Sequence, residues 1–263
     1  MIIRDKIINL GFEEIFLAEY NMKDMVFFDI EASLDKNGIE FIWAISLGRF
    51  IGDSYTVTQY FAEEIKEEKT ILENAKVILD EYYSWCTFNG LSFDEPFLIK
   101  RSEKFKINLS KPKDHFDLYR FIFPYYKSLK VKGCGLKALE KGIGINRTDS
   151  IDGYESRIMY NEYLINNNEE IMYKLMNHNI EDVISLPKLF HYVNEIREKK
   201  LVRSDKLTEA QKKSVKHLLK KRAINLDIKY DNISKKCAGK IIHGLISRSV
   251  DKDEIESLIK KGY

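Results

Sequence analysis

The sequence has few cysteines, no long apolar segment and no internal repeats. Its three cysteines, Cys86, Cys134 and Cys237, are odd in number, widely separated and not at metal-ligand spacing. They favour a reducing cytoplasm and ordinary packing roles. No apolar run approaches the roughly 20 residues that a membrane helix needs, and the charged N-terminal stretch lacks the features of a secretory signal. We therefore expect a globular cytoplasmic protein that makes no contact with a membrane.

The charge of the chain is unevenly distributed, although the formal net charge is only +2. From Lys200 to the end there are 17 lysines and arginines against 8 acids, which gives +9. The remainder has 26 basic and 33 acidic residues, which gives −7. A basic tail joined to a mildly acidic body indicates an anionic partner, with nucleic acid as the leading candidate. A lysine-rich solubilising surface is the alternative.

One segment, MVFFDIEAS at residues 25–33, organises the chain. Its apolar start predicts a buried central strand that runs into Asp29 and Glu31. Because side chains alternate along a strand, the two acids lie side by side on one face at its end. Two buried carboxylates repel each other, and a bound divalent cation is the usual remedy. The alternative is that the strand ends here and both acids are solvated.

The segments that follow predict a mixed sheet covered by helices. The strand at 25–31 and β-prone stretches at 39–50 and 55–61 form an antiparallel meander, with a tight turn at 35–38 that contains an Asn-Gly pair. The next elements are a helix over 63–83, a strand over 84–88, a helix from 93 to about 104, a strand over 114–121, a short helix within 131–142 and a helical pattern over 168–199 that Pro187 can break. This order predicts an α/β fold, with parallel strands added to the meander and helices on its faces. Residues 1–22 show no clear preference.

The composition changes after residue 200 and predicts a second, smaller domain. We expect a main domain at residues 1–200, a linker at 201–207 and a basic helical module at 208–263. Thr208 and Gln211 form a capping box at the start of the module's first helix. So small a module has little core, and we expect the main domain or a partner to support it.

Three more residues stand in positions that suggest chemistry. Asp94 begins a helix after a glycine turn, and the i,i+4 spacing of His178 and Asp182 places them on one helix face. Each has an ordinary interpretation when taken singly: Asp94 as a helix cap, His178 as a packed histidine and Asp182 as a solvated acid. Their occurrence together with the acidic strand indicates a functional site.

These motifs resemble the three exonuclease motifs of the DEDD (DnaQ-like) 3′–5′ exonuclease superfamily, which has the ribonuclease H-like fold. The blocks TFNGLSFDEPFL, HFDLYR, CGLKALEKGIGINR and HNIEDVISLPKLF follow the acidic strand in the family's order. They look most like its YprB-like ribonuclease H branch in bacteria. The resemblance covers about residues 22–195 and implies a ribonuclease H-like fold.

The resemblance also implies roles for individual residues. Asp29, Glu31, Asp94 and Asp182 correspond to the carboxylates that bind two Mg²⁺ or Mn²⁺ ions, and His178 to the general base that takes a proton from the attacking water. In the family's histidine branch four residues usually separate the histidine from the aspartate, whereas here three do, as in the tyrosine branch. We still expect the histidine to face the site.

Other residues near these motifs are candidates for lesser roles. Asn89, Phe93 and Lys137 are candidate substrate contacts, since an aromatic ring can stack on a terminal base and a lysine can hold a phosphate. Their alternative roles are a turn former, a core aromatic and a solvated lysine. A His-x-Asp pair on a strand can bind a metal, but we expect a structural role for His115 and Asp117. In the loop TDSIDGYESR, we expect Asp149 and Asp152 to be surface acids near the mouth of the cleft.

The function we expect is a metal-dependent 3′–5′ exonuclease acting on single-stranded nucleic acid, with DNA favoured slightly over RNA. The basic module would hold the strand or dock a protein partner. Three alternatives stay open: a non-catalytic nucleic-acid-binding protein that retains the fold, a recruitment protein that works through the module, and an endonuclease.

Overall fold

The computed structural model describes residues 1–35, 37–147 and 151–261. The strands are β1 (Ile2–Ile8), β2 (Met25–Leu34), β3 (Glu40–Ile51), β4 (Ser54–Phe61), β5 (Ser84–Thr87) and β6 (Asp114–Asp117). The α-helices are α1 (Glu14–Glu19), α2 (Glu68–Leu79), α3 (Asp94–Lys104), α4 (Leu118–Ile122), α5 (Leu136–Gly142), α6 (Gly153–Asn166), α7 (Glu169–Lys188), α8 (Phe190–Glu198), α9 (Glu209–Lys221), α10 (Lys235–Ser247) and α11 (Lys252–Lys261). The first of two compact units comprises residues 1–119 and 135–191, and the second comprises residues 120–134 and the chain from Tyr192 onward.

The strands of the first unit form one mixed sheet in the order β1-β4-β3-β2-β5-β6. β2, β3 and β4 are the antiparallel meander, β1 pairs antiparallel with β4, and β5 and β6 extend the sheet in parallel with β2. The predicted α/β fold with a meander, parallel strands and flanking helices is therefore confirmed. β2 is an interior strand, and its Val26, Phe27 and Phe28 have no exposed surface, as its apolar start predicts.

Several elements differ from the predicted ones. Residues 2–8 form the edge strand β1, in which the polar run at 4–6 obscures the alternation that marks a strand. The strand predicted over 114–121 ends at Asp117, where α4 begins. The helix predicted over 63–83 is limited to α2 and one 3₁₀ turn before it. The predicted turn at 35–38 includes Lys36, which lies outside the described residues, as does the predicted surface acid Asp149.

Pro187 does not break the helix in which it lies. A proline cannot donate a hydrogen bond to the carbonyl four residues before it, which here is that of Val183. The buried hydroxyl of Tyr55 donates to this carbonyl at 3.0 Å. Because the freed carbonyl has another donor, α7 continues through Pro187 to Lys188.

The second unit has a hydrophobic core of its own. Val215 and Leu219 of α9, Cys237 and Ile241 of α10 and Ile255 of α11 are buried in it. The segment 201–207 is not helical but is held by polar contacts within this unit. The side chain of Arg203 is buried, pairs with Asp205 at 2.5 Å and donates to the Asn232 carbonyl. The division into a main domain, linker and module stays a prediction.

Within the described residues, no helix has both the length and the apolar composition needed to cross a membrane.

Candidate metal centre

Four acids and one histidine from three elements meet at a single cavity of the first unit. The cavity has a volume of about 630 Å³. Its walls include all five predicted catalytic or metal-binding residues: Asp29 and Glu31 of β2, Asp94 of α3, and His178 and Asp182 of α7. The structure therefore brings together residues that are up to 153 positions apart in the sequence.

Local structure positions the two acids of β2. Asp29 lies opposite Ser46 of β3, and Glu31 lies opposite Ala44. The register of the two strands shifts immediately after Glu31, between Glu31 and Ala32. Such bulges bend a strand and change the direction of its side chains, and they are frequent beside active sites.

The third acid is tied directly to the acidic strand. Asp94 is the first residue of α3, and its Oδ1 accepts a hydrogen bond from the backbone N–H of Ile30 at 3.1 Å. Only 4% of Asp94 is exposed. The carboxylate therefore connects the start of α3 to the peptide that separates the two acids of β2.

The helix α7 supplies the remaining two groups. His178 Nε2 lies 3.4 Å from Glu31 Oε1. One ligand atom each from Glu31, His178 and Asp182 lie within 4.8 Å of one another. An i,i+4 pair on a helix projects to one side, so the histidine faces the cavity in spite of its unusual spacing from Asp182.

The pKa of each of the four carboxylates is raised. Burial is the largest cause for each: it raises the pKa of Glu31 and of Asp94 to about 7 and raises those of Asp29 and Asp182 as well. The negative charge of the neighbouring acids adds to this effect at Asp29. At Asp182 the neighbouring His178 and Arg147 oppose it. Ionised carboxylates are thus costly here unless positive charge is added.

The donor set fits a hard divalent cation. It consists of carboxylate oxygens and one imidazole, without a thiol, which is the composition that suits Mg²⁺ or Mn²⁺. Asp29, Glu31, Asp94 and Asp182 would hold such ions, because their repulsion is the cost that a cation removes.

Three residues that were not predicted from the sequence contact these acids. Ser156 of α6 donates to Glu31 Oε2 at 2.8 Å. Asn179 donates to Asp29 Oδ2 at 2.7 Å. Arg147 pairs with Asp182 and, at 2.6 Å, with the buried Glu140. Arg147 is the last residue of the motif block CGLKALEKGIGINR, so its position in that block was a sequence signal for a role at the site. Ser156 lies in α6, outside every motif block.

His115 and Asp117 have structural contacts. The carboxylate of Asp117 is fully buried and accepts from the backbone N–H groups of Asn89 and Leu91. His115 contacts Thr87 through Nε2 at 2.7 Å and Glu95 through Nδ1 at 2.5 Å. These bonds fix the loop that precedes Asp94.

The three candidate substrate contacts also line the cavity. Phe93 is 45% exposed and its ring lies 5.3 Å from that of Phe97. Asn89 has a positive φ of 65°, which suits its alternative role as a turn former. The ammonium group of Lys137 donates to the Ile151 carbonyl. Asp152 caps α6 at the cavity wall. The substrate roles stay predictions.

Parts of this chain are similar to other known proteins. A protein of Bacillus subtilis (strain 168) titled "Uncharacterized protein YprB" is 26% identical to this chain over 180 residues, which are 67% of this chain and 43% of that protein. This chain thus spans less than half the length of that relative. A family B DNA polymerase from the archaeon Pyrobaculum calidifontis aligns with a TM-score of 0.49 and 15% identity, over 64% of this chain and 24% of the polymerase.

The family comparison agrees with the resemblance seen in the motifs. A family model described as RNase_H superfamily matches residues 26–194. That range is more than half of the 263 residues and includes every residue that lines the acidic cavity. The chain therefore belongs to the RNase_H superfamily.

Proposed function

We propose that this protein is a metal-dependent 3′–5′ exonuclease that hydrolyses single-stranded nucleic acid in the cytoplasm, with DNA slightly favoured over RNA. The observation that carries the proposal is the convergence of Asp29, Glu31, Asp94, Asp182 and His178 on one cavity. Membership of the RNase_H superfamily supports a nuclease. The 3′–5′ polarity rests on the resemblance of the motifs to the DEDD exonucleases. The free thiols of all three cysteines fit a reducing compartment.

Each part of the cavity has a place in the proposed reaction. Two Mg²⁺ or Mn²⁺ ions, when bound, supply a nucleophile at neutral pH and stabilise charge on the attacking and leaving oxygens. The four carboxylates would hold those ions, and His178 would accept a proton from the attacking water. The exposed ring of Phe93 is suited to stacking on the terminal base. Asn89 and Lys137 contact the substrate beside it.

Degradation of end-labelled oligonucleotides tests the proposal. Single-stranded DNA and RNA labelled at either end are incubated with Mg²⁺, Mn²⁺ or EDTA, using the wild type beside Asp29→Ala. We expect mononucleotides released from the 3′ end, dependent on the metal and absent in the variant. Retained binding without any cleavage would instead support a non-catalytic binding protein. Cleavage of a circular single strand would identify an endonuclease.

The second unit supports a further role in holding the strand. Lys212 Nζ lies 5.6 Å and Lys216 Nζ 5.3 Å from the centroid of the Tyr230 ring. These residues border a surface groove that Lys229 also lines, together with the acids Asp227 and Asp231. Lysines beside an aromatic ring are the combination that binds phosphates and stacks a base in single-strand binding. We propose that this face binds nucleic acid, and docking of a protein on the module is the alternative.

Charge reversal tests the binding role. The double variant Lys212→Glu with Lys216→Glu should weaken binding of a fluorescent oligonucleotide in EDTA. The slope of log affinity against log salt concentration should become shallower by about 1.4, because each lost phosphate contact on a single strand contributes about 0.7. The matched control is Lys69→Glu with Lys76→Glu, on α2 of the first unit. Equal salt dependence in all three proteins would favour a protein partner for the module.

A further inference from the structure

A row of polar side chains crosses the sheet beside the acidic strand. Asp29 of β2 is in register with Ser46 of β3, Ser46 with Gln59 of β4, and Gln59 with Arg4 of β1. Ser46 and Gln59 have no exposed surface. Residues in register on neighbouring strands project to the same face, so one acid of the cavity is the end of a buried polar row.

The helix α7 contacts this row through two asparagines. Asn179 is fully buried. Its Oδ1 accepts from Ser46 Oγ at 2.5 Å and from Gln59 Nε2 at 3.1 Å, and its Nδ2 donates to Asp29 Oδ2 at 2.7 Å. Two residues earlier, the exposed Asn177 accepts from Arg4 at the outer end of the row.

The direction of these hydrogen bonds is fixed by a backbone carbonyl. Gln59 Nε2 also donates to the Met176 carbonyl at 3.0 Å. A carbonyl can only accept, so the amide nitrogen of Gln59 must point toward the Met176 carbonyl. The amide oxygen Oε1 of Gln59 is then buried without a partner among the described residues. Asn179 must then turn its oxygen to Gln59 and its nitrogen to Asp29.

We propose that Asn179 is a positioning residue that aims Asp29 at the cation, and that the buried row of Ser46 and Gln59 fixes the orientation of its amide. The hydrogen bond occupies Oδ2 of the carboxylate. Oδ1 receives no hydrogen bond from the residues that the structure describes, which leaves it to act as a ligand. Partners of this kind orient metal ligands and typically account for 10–100-fold in metal affinity. The inference rests on the proposed function, because it concerns the same cation site.

The experiment measures cation binding by the full chain without substrate. Mn²⁺ is titrated calorimetrically into the wild type, Asn179→Asp, Asn179→Ser and Asn177→Asp, each checked by circular dichroism and by thermal unfolding in EDTA. Asn179→Asp keeps the shape of the side chain but replaces the donor with an acceptor. Asn179→Ser is smaller, and its hydroxyl is too short to reach Asp29. Asn177→Asp makes the same chemical change at the exposed end of the row.

We expect both Asn179 variants to bind Mn²⁺ about 10–100-fold more weakly and Asn177→Asp to bind it as the wild type does. A merely structural role would lower the unfolding temperature in EDTA and leave the Mn²⁺ affinity of the folded protein unchanged, and that result would overturn the inference. A wild type that does not bind Mn²⁺ would overturn the proposed metal centre itself, and this inference with it.

Discussion

The two units of this chain carry opposite charges and place them differently. The first unit has 20 lysines and arginines against 31 acids, a formal net charge of −11. The second has 23 against 10, a net charge of +13. In the first unit the four candidate metal-binding acids line one cavity, whereas in the second the lysines of α9 such as Lys213, Lys216 and Lys220 are exposed.

The difference lies in the cost of each arrangement. Burial raises the pKa of each of these four acids, so that cluster is unfavourable until a cation compensates it. Exposed lysines remain hydrated and cost little, and they attract an anion at long range. Under the proposed function, the first unit uses charge for chemistry at one point, and the second uses it to hold a polyanion.

The largest expected effect separates these two roles. Asp94→Asn removes one buried carboxylate with little change of shape, and it should lower the rate of oligonucleotide hydrolysis by about 10³-fold, within the range for loss of a group that stabilises transition-state charge. Binding of the same oligonucleotide in EDTA should not weaken. The control is Asp53→Asn in the exposed turn between β3 and β4. Parallel loss of hydrolysis and binding would show that the roles are not separate.

The next effect concerns Arg147, whose guanidinium group supplies positive charge beside the acids of the first unit. Arg147 pairs with both Glu140 and Asp182, and its side chain is 6% exposed. Arg147→Met leaves the buried Glu140 and the partly buried Asp182 without this partner, and the free energy of unfolding should fall by about 3 kcal/mol. Urea denaturation in EDTA measures it, with the exposed Arg157→Met as control. A change below about 0.5 kcal/mol would mean that the pairs are as weak as surface ion pairs.

The sequence predicted the elements whose patterns are local. The apolar run before Asp29 and the Asn-Gly and β-branched stretches after it identified β2, β3 and β4, because strand burial follows from alternation and composition. The edge strand β1 was not predicted, since a strand with Arg4, Asp5 and Lys6 at its centre depends on pairing with β4. In α6 the exposed Tyr154 and Ile158 similarly obscured the helical periodicity.

Only the site residues that lie in recognisable sequence motifs could be predicted. The acids and His178 belong to segments that the family resemblance identified, and the structure places all of them at one cavity. Asn179 lies inside one of those segments, yet its contact with Asp29 spans 150 residues and depends on Ser46 and Gln59 of other strands. Such contacts follow from the packing of α7 on the sheet, which no local pattern specifies.

A smaller effect concerns the pH dependence of the metal-free protein. The pKa values of Glu31 and Asp94 are raised to about 7 in the folded state, against ordinary values near 4 in the unfolded chain. The folded state then binds protons more tightly between about pH 4 and 7, so the free energy of unfolding rises as the pH falls through this window.

In EDTA, lowering the pH from 8 to 5.5 should thus stabilise the wild type relative to Asp94→Asn by on the order of 1–3 kcal/mol. Thermal and urea unfolding measure this difference. Because the two proteins are compared at each pH, the effects of titrating groups elsewhere in the chain cancel. Saturating Mg²⁺ should reduce it, because the ion replaces the protons. Identical pH slopes for both proteins would contradict the raised pKa of Asp94.

The smallest effect is expected at the ring in the basic unit. Tyr230→Ser should weaken binding of a single-stranded oligonucleotide in EDTA by about tenfold, because stacking of one base on an aromatic ring contributes about 1–3 kcal/mol. Tyr230→Phe keeps the ring and should bind as the wild type does, and Tyr173→Ser on the first unit is the control. The loss should persist at high salt, where the contribution of Lys212 and Lys216 is screened. Equal binding by Tyr230→Ser and Tyr230→Phe would mean that this surface holds nucleic acid by charge alone.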